Sequence, residues 1–417
     1  MTKRLRVGVI YGGRSGEHEI SLRSANAVIR ALHPRRYEAV PIAITKRGRW
    51  FTGPRSLERL DQAQRQLKTI PAHGNEVTIV PEPVRHGLVH LEAQSLRAER
   101  LDVVFPVLHG SYGEDGTIQG LLELAGLPYV GAGVLGSAVG MDKDVMKRLL
   151  REAGLPIVRF ITLRGPRATD ALRTVDCVAE AGFGYPCFVK PANLGSSVGI
   201  SKVSRAEELP RALQEAARYD TKVIIEEAVI GRELEIAVLG NVDSNTDPIV
   251  SVPGEIVPGR AFYDYIDKYV DDRASSIVPA TLTHDRQQEM ATLARRAYKV
   301  LECDGMARVD FFLRREDEKI IVNEINTIPG FTPISLFPRM WEASGIPFPK
   351  VVDRLIALAF DRHARRARLA TSFTPQGAST GRRASAAAPT PRRGGEQRGR
   401  RSRSTHGRPP RNARRAR

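Results

Sequence analysis

Two apolar segments separated by a short charged linker constrain the fold of this chain more than any other feature. The segments Met306–Phe312 and Ile320–Gly330 begin with the composition of β-strands, yet each carries polar residues at alternating positions. The linker at 314–318 is rich in charged residues and is typical of a hairpin turn. A hairpin would lay the two polar faces side by side in an antiparallel pair.

Four polar side chains share one face of this predicted hairpin. Arg308 and Asp310 lie two residues apart on the first strand, and Glu324 and Asn326 lie two apart on the second. Carboxylate and amide oxygens suit Mg²⁺, which takes its other ligands from water and nucleotide phosphates. For any one of these residues, a half-solvated hairpin face is the alternative. Because their neighbours are phenylalanine and isoleucine, the set as a whole favours a metal-dependent enzyme that handles phosphate.

The net charge of +17 is concentrated at the C-terminal end of the 417 residues. Residues 371–417 hold 13 arginines and one acid, Glu396, for a net charge of +12, which leaves +5 for residues 1–370. This Arg-rich tail has a single aromatic residue and cannot bury enough apolar surface to offset its conformational entropy. We expect it to be disordered and to bind nucleic acid only weakly and without sequence preference.

The compartment is indicated by cysteine usage and by the absence of apolar stretches in the sequence. Three cysteines without metal-ligand spacing fit a reducing environment. No apolar stretch approaches the roughly 18 residues that a membrane span needs, and residues 1–7 lack the apolar core of a signal peptide. We therefore expect a cytoplasmic protein without a membrane anchor.

Strand and helix patterns alternate over residues 4–130, which predicts an open α/β sheet with ligands at the carboxyl ends of its strands. An α+β arrangement is expected for the C-terminal half, where the hairpin lies. Between these parts, the pattern predicts a single helix from about Ser137 to Ala153 and another over Ala206–Tyr219. No internal repeat is visible.

A small-residue loop, Asn193–Gly199, follows a strand that ends near Lys190. Small residues let backbone N–H groups approach a phosphate, and the lysine adds a point charge, although a flexible surface turn is an equal alternative. Lys143 could be a second phosphate ligand or a solvated helix residue. Gly131–Gly136 matches G-x-G-x-x-G but lies late in the α/β region, so we interpret it as a connecting turn and expect no nicotinamide cofactor.

Two polar loops are predicted at the same edge of the N-terminal sheet. The loop Gly12–Ser21 contains Glu17, which is placed to receive an ammonium group, although an acid in a first helical turn is also ordinary capping chemistry. The loop His109–Thr117 follows another buried strand. Farther along, the aromatic and polar segment Ala261–Tyr269 has the composition of an ordered surface loop or of a lid over a charged substrate.

Together these segments resemble the D-alanine–D-alanine ligases of the ATP-grasp superfamily. The resemblance runs in unbroken order through about residues 1–360. Its motifs in this sequence are GGRSGEHEIS, HGSYGEDGTIQG, MDK, KPANLGSSVGIS, EEAVIGRELE, FYDYIDKY, ARVDFF and NEINTIPGFTPISL. Many motifs in one order make the resemblance specific, and the Arg-rich tail has no counterpart in it.

The resemblance implies a division into three domains and a tail. Residues 1–132 would form an N-terminal α/β substrate-binding domain, residues 133–227 a central ATP-grasp lid domain, and residues 228–362 the C-terminal ATP-grasp catalytic domain. Residues 371–417 remain as a disordered Arg-rich extension.

The resemblance also assigns the nucleotide and metal ligands. Asp310, Glu324 and Asn326 would hold Mg²⁺ or Mn²⁺, with two ions per site. The residues implied for ATP binding are Lys143, Lys190, Ser197, Glu226, Glu227, Val229 and Glu233.

The first D-alanine and the reacting carbonyl have implied partners as well. Glu17 would hold the ammonium group in a hydrogen-bonded set with Ser196 and Tyr269. Arg308 and the backbone N–H of Gly330 would form the oxyanion site.

The second D-alanine would be bound through its carboxylate. Ser335 and the backbone of Leu336 are its implied ligands, while His109 and Lys268 would line the pocket. Tyrosine at position 269 goes with amine rather than hydroxy-acid acceptors in the family, which predicts D-alanine over D-lactate.

The implied activity is ATP-dependent synthesis of D-alanyl-D-alanine through an acyl phosphate, for peptidoglycan precursor synthesis, by a cytoplasmic homodimer. Two alternatives stay open at this point. One is an ATP-grasp ligase for another amino acid, which Glu17, Tyr269 and Ser335 argue against. The other is a nucleic-acid-binding protein that acts through the tail, which lacks the aromatic residues needed for base stacking.

Overall fold

A computed structural model describes residues 3–53, 56–66, 74–85, 87–91, 97–165, 178, 181–241, 246–257 and 275–370. In this part of the chain the strands form three sheets, all within the unit Met1–Leu369. The predicted tail and the segment Ala261–Tyr269, with Lys268 and Tyr269, lie outside the described residues.

The N-terminal sheet confirms the predicted α/β alternation. Its strands are β1 (Leu5–Gly12), β2 (Tyr37–Ile44), β3 (Trp50–Thr52), β4 (Asn75–Ile79), β5 (Gly87–His90), β6 (Arg97–Arg100) and β7 (Val103–Val107). Their order is β6-β5-β4-β3-β2-β1-β7, with β1 parallel to β2 and β7. The accompanying helices are α1 (His18–Ala31), α2 (Ser56–Gln66) and α3 (Thr117–Leu124), with a 3₁₀ turn at Pro83–Arg85.

Strands β1 and β7 are largely apolar and buried because both of their faces are covered. Every residue of β7, and six of the eight in β1, is buried. Since β1 and β7 are parallel neighbours, with Val9 opposite Phe105, the loops that follow them leave the same edge of the sheet. The two polar loops therefore meet there, as predicted.

The helix predicted over about 137–153 is in fact two helices, so that prediction was wrong. They are α4 (Val134–Met141) and α5 (Lys143–Glu152), separated by one extended residue, Asp142. The Asp142 carboxylate accepts hydrogen bonds from two backbone N–H groups of the first turn of α5. A residue that caps a helix in this way must leave helical geometry. The break places Lys143 at the start of α5.

The middle sheet is small and antiparallel. It contains β8 (Phe160–Arg164), β9 (Cys187–Pro191), β10 (Ser201–Val203) and β11 (Lys222–Glu227), in the order β10-β9-β11-β8. The helix predicted over Ala206–Tyr219 is a 3₁₀ turn, Ala206–Glu208, followed by α6 (Leu209–Ala217). One face of α6 is buried against the sheet.

The C-terminal sheet contains the predicted hairpin. Its strands are β12 (Gly231–Leu239), β13 (Ile249–Val250), β14 (Gly254–Val257), β15 (Ser275–Ile277), β16 (Met306–Arg314) and β17 (Ile320–Asn326). The order is β15-β14-β12-β16-β17, and β13 pairs with β12. The helices of this part are α7 (His284–Val300), α8 (Leu336–Ala343) and α9 (Phe348–Ala367).

Aromatic packing joins the C-terminal part to the N-terminal sheet. The ring of Phe331 lies edge-on to Phe105 of β7, with ring centroids 5.7 Å apart, and edge-on to Phe337 of α8, at 5.6 Å. Each such pair contributes about 0.5–1.5 kcal/mol beyond its buried area. The turn that follows β17 is thereby fixed against β7.

Among the described residues, no helix is both long enough and apolar enough to span a bilayer.

Candidate active site

The β16–β17 hairpin brings the four predicted polar residues together in register. Asp310 lies directly opposite Glu324, and Arg308 lies opposite Asn326. The pairing shifts immediately after Asp310, so that Asn323 is an extra residue in β17. Alternation predicted the shared face, whereas the bulge left no recognisable signal in the sequence.

Arg308 is held by two carboxylates. Its guanidinium donates two hydrogen bonds of 2.7 Å to Asp310, and Nε lies 3.0 Å from Glu235 on β12. Burial disfavours the charged form, but Asp310 and Glu235 outweigh it and raise the pKa of Arg308 above its ordinary value. Glu235 was not predicted from the sequence, although it lies two residues after Glu233 and therefore on the same strand face.

The hairpin has the donor set that a hard cation requires. Asp310 and Glu324 provide carboxylates, and the amide oxygen of Asn326 accepts one hydrogen bond, 3.1 Å from the Ile328 N–H, which leaves a second lone pair. In the described ranges no three His, Cys, Asp or Glu side chains cluster closely enough to hold a metal by themselves. Two carboxylates and an amide therefore fit Mg²⁺ only when phosphate and water complete the ligand shell.

A buried carboxylate at the end of β11 is flanked by two lysines. Glu226 is 2% exposed; its Oε2 accepts a hydrogen bond of 2.7 Å from Lys190, and its Oε1 lies 3.3 Å from Lys147. Lys147 also donates to the carbonyl of Asn323 at 2.8 Å. Burial alone would raise the pKa of Glu226, but the two lysines outweigh it and lower that pKa. Lys147 was missed, although it lies one helical turn after Lys143.

The link between the middle and C-terminal sheets contains the remaining predicted nucleotide ligands. β11 ends at Glu227 and β12 begins at Gly231, so Val229 lies in the connection. Glu227 accepts a hydrogen bond of 2.7 Å from Arg159, and Glu233 lies on β12.

Lys143 joins the small-residue loop to the hairpin. Its backbone N–H donates to the carbonyl of Ala192 at 3.0 Å, and its Nζ donates to the carbonyl of Leu194 at 2.8 Å. The same Nζ lies 3.5 Å from Glu324. The cation predicted to bind phosphate therefore contacts both the loop and the predicted metal ligands.

The small-residue loop has an unusual backbone at its tip. Ser196 and Ser197 have φ angles of 50° and 59°, in the left-handed region that residues with side chains rarely adopt. At the base of the loop, the backbone and side-chain N–H groups of Asn193 donate to Asp220 at 2.8 and 3.0 Å. Such backbone strain persists where surrounding contacts hold it, often at functional sites.

Glu17 lies where loops from two sheets meet. The Ser196 hydroxyl donates a short hydrogen bond to it. Gly110 and Gly195 make room for the carboxylate, because a β-carbon on either would lie only 2.7 or 3.0 Å from Glu17 Oε2. The predicted Glu17–Ser196 pair is thus present, while Tyr269, the third member of the set, lies outside the described residues.

Glu114 is a buried carboxyl beside Glu17. Its Oε2 accepts a hydrogen bond of 2.8 Å from the Gly110 N–H. Burial, reinforced by the charge of Glu17, raises the pKa of Glu114 well above its ordinary value. A carboxyl in this environment favours its protonated form.

His109 contacts the turn after β17 rather than only lining a pocket. Its Nδ1 lies 3.0 Å from the carbonyl oxygen of Ile328, and its Nε2 lies 2.9 Å from the Ser24 hydroxyl of α1. Burial lowers the pKa of His109, which favours the neutral ring.

The predicted carboxylate-binding residues lie at the start of α8. Ser335 occupies the N-cap position, but its hydroxyl makes a 2.7 Å hydrogen bond with Thr332 instead of capping the helix. A β-carbon on Gly330 would lie 2.8 Å from the Ser335 hydroxyl oxygen, so a side chain there would have to displace that hydroxyl. The helix N-terminus at Leu336 presents backbone N–H groups that favour an anion.

One cavity of about 1130 Å³ is lined by most of these groups. Every predicted site residue within the described ranges lines it: Glu17, His109, Lys143, Lys190, Ser196, Ser197, Glu226, Glu227, Val229, Glu233, Arg308, Asp310, Glu324, Asn326, Gly330, Ser335 and Leu336.

Sequence comparison relates almost the whole of residues 1–370 to one group of enzymes. The family profile "D-ala D-ala ligase N-terminus" matches residues 6–132, and "D-ala D-ala ligase C-terminus" matches residues 149–357. A D-alanine–D-alanine ligase of Solibacter usitatus is 49% identical over 365 residues, which cover 87% of this chain and 98% of that protein. The corresponding enzyme of Geobacillus thermodenitrificans is 45% identical over 370 residues, covering 89% and 99%.

Solved structures have the same fold. The D-alanine-D-alanine ligase from Coxiella burnetii superposes with a TM-score of 0.72 at 38% identity, covering 88% of this chain and 97% of that one. The VanG D-Ala:D-Ser ligase from Enterococcus faecalis gives a TM-score of 0.72 at 36% identity, covering 86% and 100%.

Proposed function

The chain belongs to the D-alanine–D-alanine ligase family, and on that premise we propose that it joins two D-alanine molecules through a D-alanyl phosphate. ADP and phosphate would be released, and the dipeptide would serve peptidoglycan precursor synthesis. The observation that carries the proposal is the single cavity into which Glu17, Lys190 and the Arg308 hairpin all face. An ammonium-binding acid, phosphate-binding cations and an oxyanion-binding cation are the groups that this reaction requires.

ATP is proposed to bind between the middle and C-terminal sheets. The base would lie against the link from Glu226 to Val229, with the ribose at Glu233, and the phosphates would face Lys143, Lys190 and the loop at Ser197. Mg²⁺ or Mn²⁺, held by Asp310, Glu324 and Asn326 as one or two ions, would supply charge neutralisation at the phosphates. The sharing of one cavity by these residues supports the assignment.

The first step is transfer of the γ-phosphoryl group to a carboxylate. An oxygen of the first D-alanine forms a bond to phosphorus while the bond to ADP breaks. Lys143 and Lys190 offset the charge of the transferring group. Glu17, fixed by the Ser196 hydroxyl, would hold the ammonium group so that the carboxylate points toward the phosphate.

The second step forms the peptide bond. The amine of the second D-alanine, after losing a proton, attacks the carbonyl carbon, and collapse of the tetrahedral intermediate expels phosphate. Arg308 and the Gly330 N–H would stabilise the oxyanion. Because Asp310 and Glu235 already orient the guanidinium, little reorganisation is needed as that charge develops.

The carboxylate of the second D-alanine is proposed to bind at the start of α8. The Ser335 hydroxyl and the Leu336 N–H are its proposed partners, and Lys268, like His109, would line this part of the pocket. The likeness to a D-Ala:D-Ser ligase makes D-serine the acceptor to compare. Tyr269 leads us to expect an amine acceptor, with D-alanine preferred to D-lactate.

Further properties follow from the family rather than from contacts within the chain. We propose a homodimer, as the resemblance implies. A cytoplasmic location is proposed because the co-substrate is ATP.

The experiment that tests the function is phosphate release by the purified full chain with ATP, Mg²⁺ and D-alanine, together with detection of the dipeptide. L-Alanine is the control substrate, and D-serine and D-lactate are the competing acceptors. We expect D-alanyl-D-alanine as the main product near neutral pH. Absence of the dipeptide would refute the proposed function, and preferential formation of the depsipeptide would refute the acceptor assignment alone.

A further inference from the structure

A buried serine of α1 connects the loop that follows β7 with the turn that follows β17. The Ser24 oxygen accepts a hydrogen bond of 3.2 Å from the Phe331 backbone N–H and lies 2.9 Å from His109 Nε2. Ser24 is fully buried, and 307 residues of sequence separate it from Phe331. Its hydroxyl is therefore inaccessible to substrate and has these two groups as partners.

The chemistry of the partners fixes the direction of the two outer hydrogen bonds in this series, and a neutral histidine ring fixes the third. The Phe331 N–H can only donate, so the Ser24 oxygen accepts there. The Ile328 carbonyl can only accept, so His109 Nδ1, 3.0 Å away, carries the proton. In a neutral ring Nε2 then has the lone pair, and the Ser24 O–H donates to it. The sequence is Phe331 N–H to Ser24, Ser24 O–H to His109, and His109 N–H to Ile328.

The two backbone groups at the ends of this series of hydrogen bonds lie on either side of Gly330. The Ile328 carbonyl is two residues before it, and the Phe331 N–H is the next backbone donor. On the other flank, the Ile328 N–H donates to Asn326 at 3.1 Å. The turn is thus tied to the N-terminal sheet by His109 and Ser24 and to the hairpin by Asn326.

We propose that Ser24 is a positioning residue that acts through His109 and Phe331 to fix the Gly330 N–H where the oxyanion forms. The proposal rests on the proposed function, because it assigns Ser24 to the oxyanion site of that same reaction. Placement matters there: a displacement of about 1 Å in a catalytic group can lower a rate about 100-fold.

The neutral state of His109 is part of this arrangement. An imidazolium has a proton on both nitrogens, so protonation would reverse this hydrogen bond: Nε2 would donate to the Ser24 oxygen, and the Ser24 O–H would no longer donate to His109. Burial lowers the pKa of His109; Glu17 opposes this shift, and Arg308 reinforces it. Burial also raises the pKa of Glu114, the other carboxyl nearby, well above its ordinary value.

The decisive variant is Ser24→Ala, which removes one oxygen. We expect kcat for dipeptide synthesis to fall roughly 10- to 100-fold, with the affinity for Mg²⁺–ADP, measured by calorimetry, unchanged. Because His109 would lose the hydroxyl that favours its neutral form, the acidic limb of the kcat profile should move to higher pH. If Ser24 had a purely structural role, the substitution would not shift this limb, and it would not lower kcat while leaving nucleotide affinity unchanged.

The matched control is Ser137→Ala, which also removes a buried hydroxyl from a helix. That hydroxyl donates to the carbonyl of Ala132 at 3.4 Å. It should keep the wild-type kcat and pH profile. The inference is overturned if Ser24→Ala retains the wild-type kcat, if its acidic limb does not move, or if nucleotide affinity falls in parallel. Failure of the wild-type chain to make the dipeptide would instead refute the proposed function, so the two failures are distinguishable.

Discussion

The Lys190 ammonium and the Glu226 carboxylate form a hydrogen-bonded ion pair of 2.7 Å in the interior of the protein. The pair raises the pKa of Lys190 despite its burial, so the cation predicted to bind phosphate is charged and internally partnered. On the proposed assignment, a nucleotide phosphate would compete with Glu226 for this cation. Lys147, 3.3 Å from the other carboxylate oxygen, would then keep Glu226 neutralised when Lys190 binds the phosphate.

Replacing Lys147 with methionine should therefore impair both nucleotide binding and stability. Loss of one of two cations beside a buried carboxylate should lower the free energy of unfolding by about 1.5–3 kcal/mol. The KM for ATP should rise more than the KM for D-alanine. Urea unfolding and steady-state kinetics measure the two effects, with Lys350→Met, on the exposed start of α9, as the control. Unchanged KM and stability would contradict the role given to Lys147.

The assignment of Glu324 as a metal ligand predicts that Glu324→Ala abolishes ATP-dependent phosphate release while the protein stays folded. We expect a loss of roughly 100-fold or more, because the charge of the transferring phosphoryl group would lose its main neutralising ion. Glu316→Ala, in the exposed turn of the same hairpin, is the control and should retain full activity. Turnover near the wild-type rate in Glu324→Ala would remove the assignment.

Glu114 predicts a pH-dependent stability difference. Its folded-state pKa lies well above the ordinary 4.5, so its stabilising contribution is complete at pH values below 4.5 and is lost as pH rises through the folded-state pKa. Glutamine keeps the oxygen that accepts from Gly110 and cannot ionise. Glu114→Gln should match wild type in thermal unfolding near pH 4 and should exceed it increasingly toward pH 8. If Glu114→Gln and wild type had the same unfolding temperature near pH 4 and also near pH 8, Glu114 would ionise freely.

Gly330 should tolerate no side chain. The added β-carbon of Gly330→Ala would meet the Ser335 hydroxyl oxygen at 2.8 Å and displace either the proposed oxyanion donor or the carboxylate ligand. We expect kcat/KM for D-alanine to fall about 100-fold. Gly120→Ala is the matched control, because a β-carbon there meets nothing within 4 Å on α3. That variant should be active and more stable by about 0.4–1 kcal/mol.

Removal of the Arg-rich tail should leave catalysis intact. The relatives at 45–49% identity align over 365–370 residues, which cover 87–89% of this chain and nearly all of theirs, and the family profile ends at residue 357. A chain ending at residue 370 should ligate D-alanine at the wild-type rate and lose any salt-sensitive RNA binding. A large drop in ligation would show that the tail takes part in the reaction.

Local patterns predicted most of the fold. Alternation within Met306–Phe312 and Ile320–Asn326 predicted a hairpin with Asp310 and Glu324 on one face, as observed. The break at Asp142 was missed because apolar periodicity continues across it, although aspartate before a run of helix-forming residues is itself an N-cap signal.

Motifs identified many of the residues that line the cavity, but not several that hold them in place. Lys147, Glu235 and Ser24 lie on elements whose inward faces are predictable from periodicity. Their partners are far away in the sequence: Asn323 lies 176 residues from Lys147, and Phe331 lies 307 from Ser24. Periodicity specifies which face of a helix is buried, whereas the partner on the other side depends on tertiary packing.

The cavity is built from residues that are far apart in the sequence, so it forms only when both the N-terminal and the C-terminal parts of the protein have folded. Glu17 meets Ser196 across 179 residues, and His109 meets Ile328 across 219. Residues 1–132 by themselves lack the proposed phosphate and metal ligands, and the rest of the chain by itself lacks Glu17 and His109. Two parts divided after residue 132 would therefore be expected to regain dipeptide synthesis only on reassembly, which makes this architecture suitable for a split-enzyme reporter.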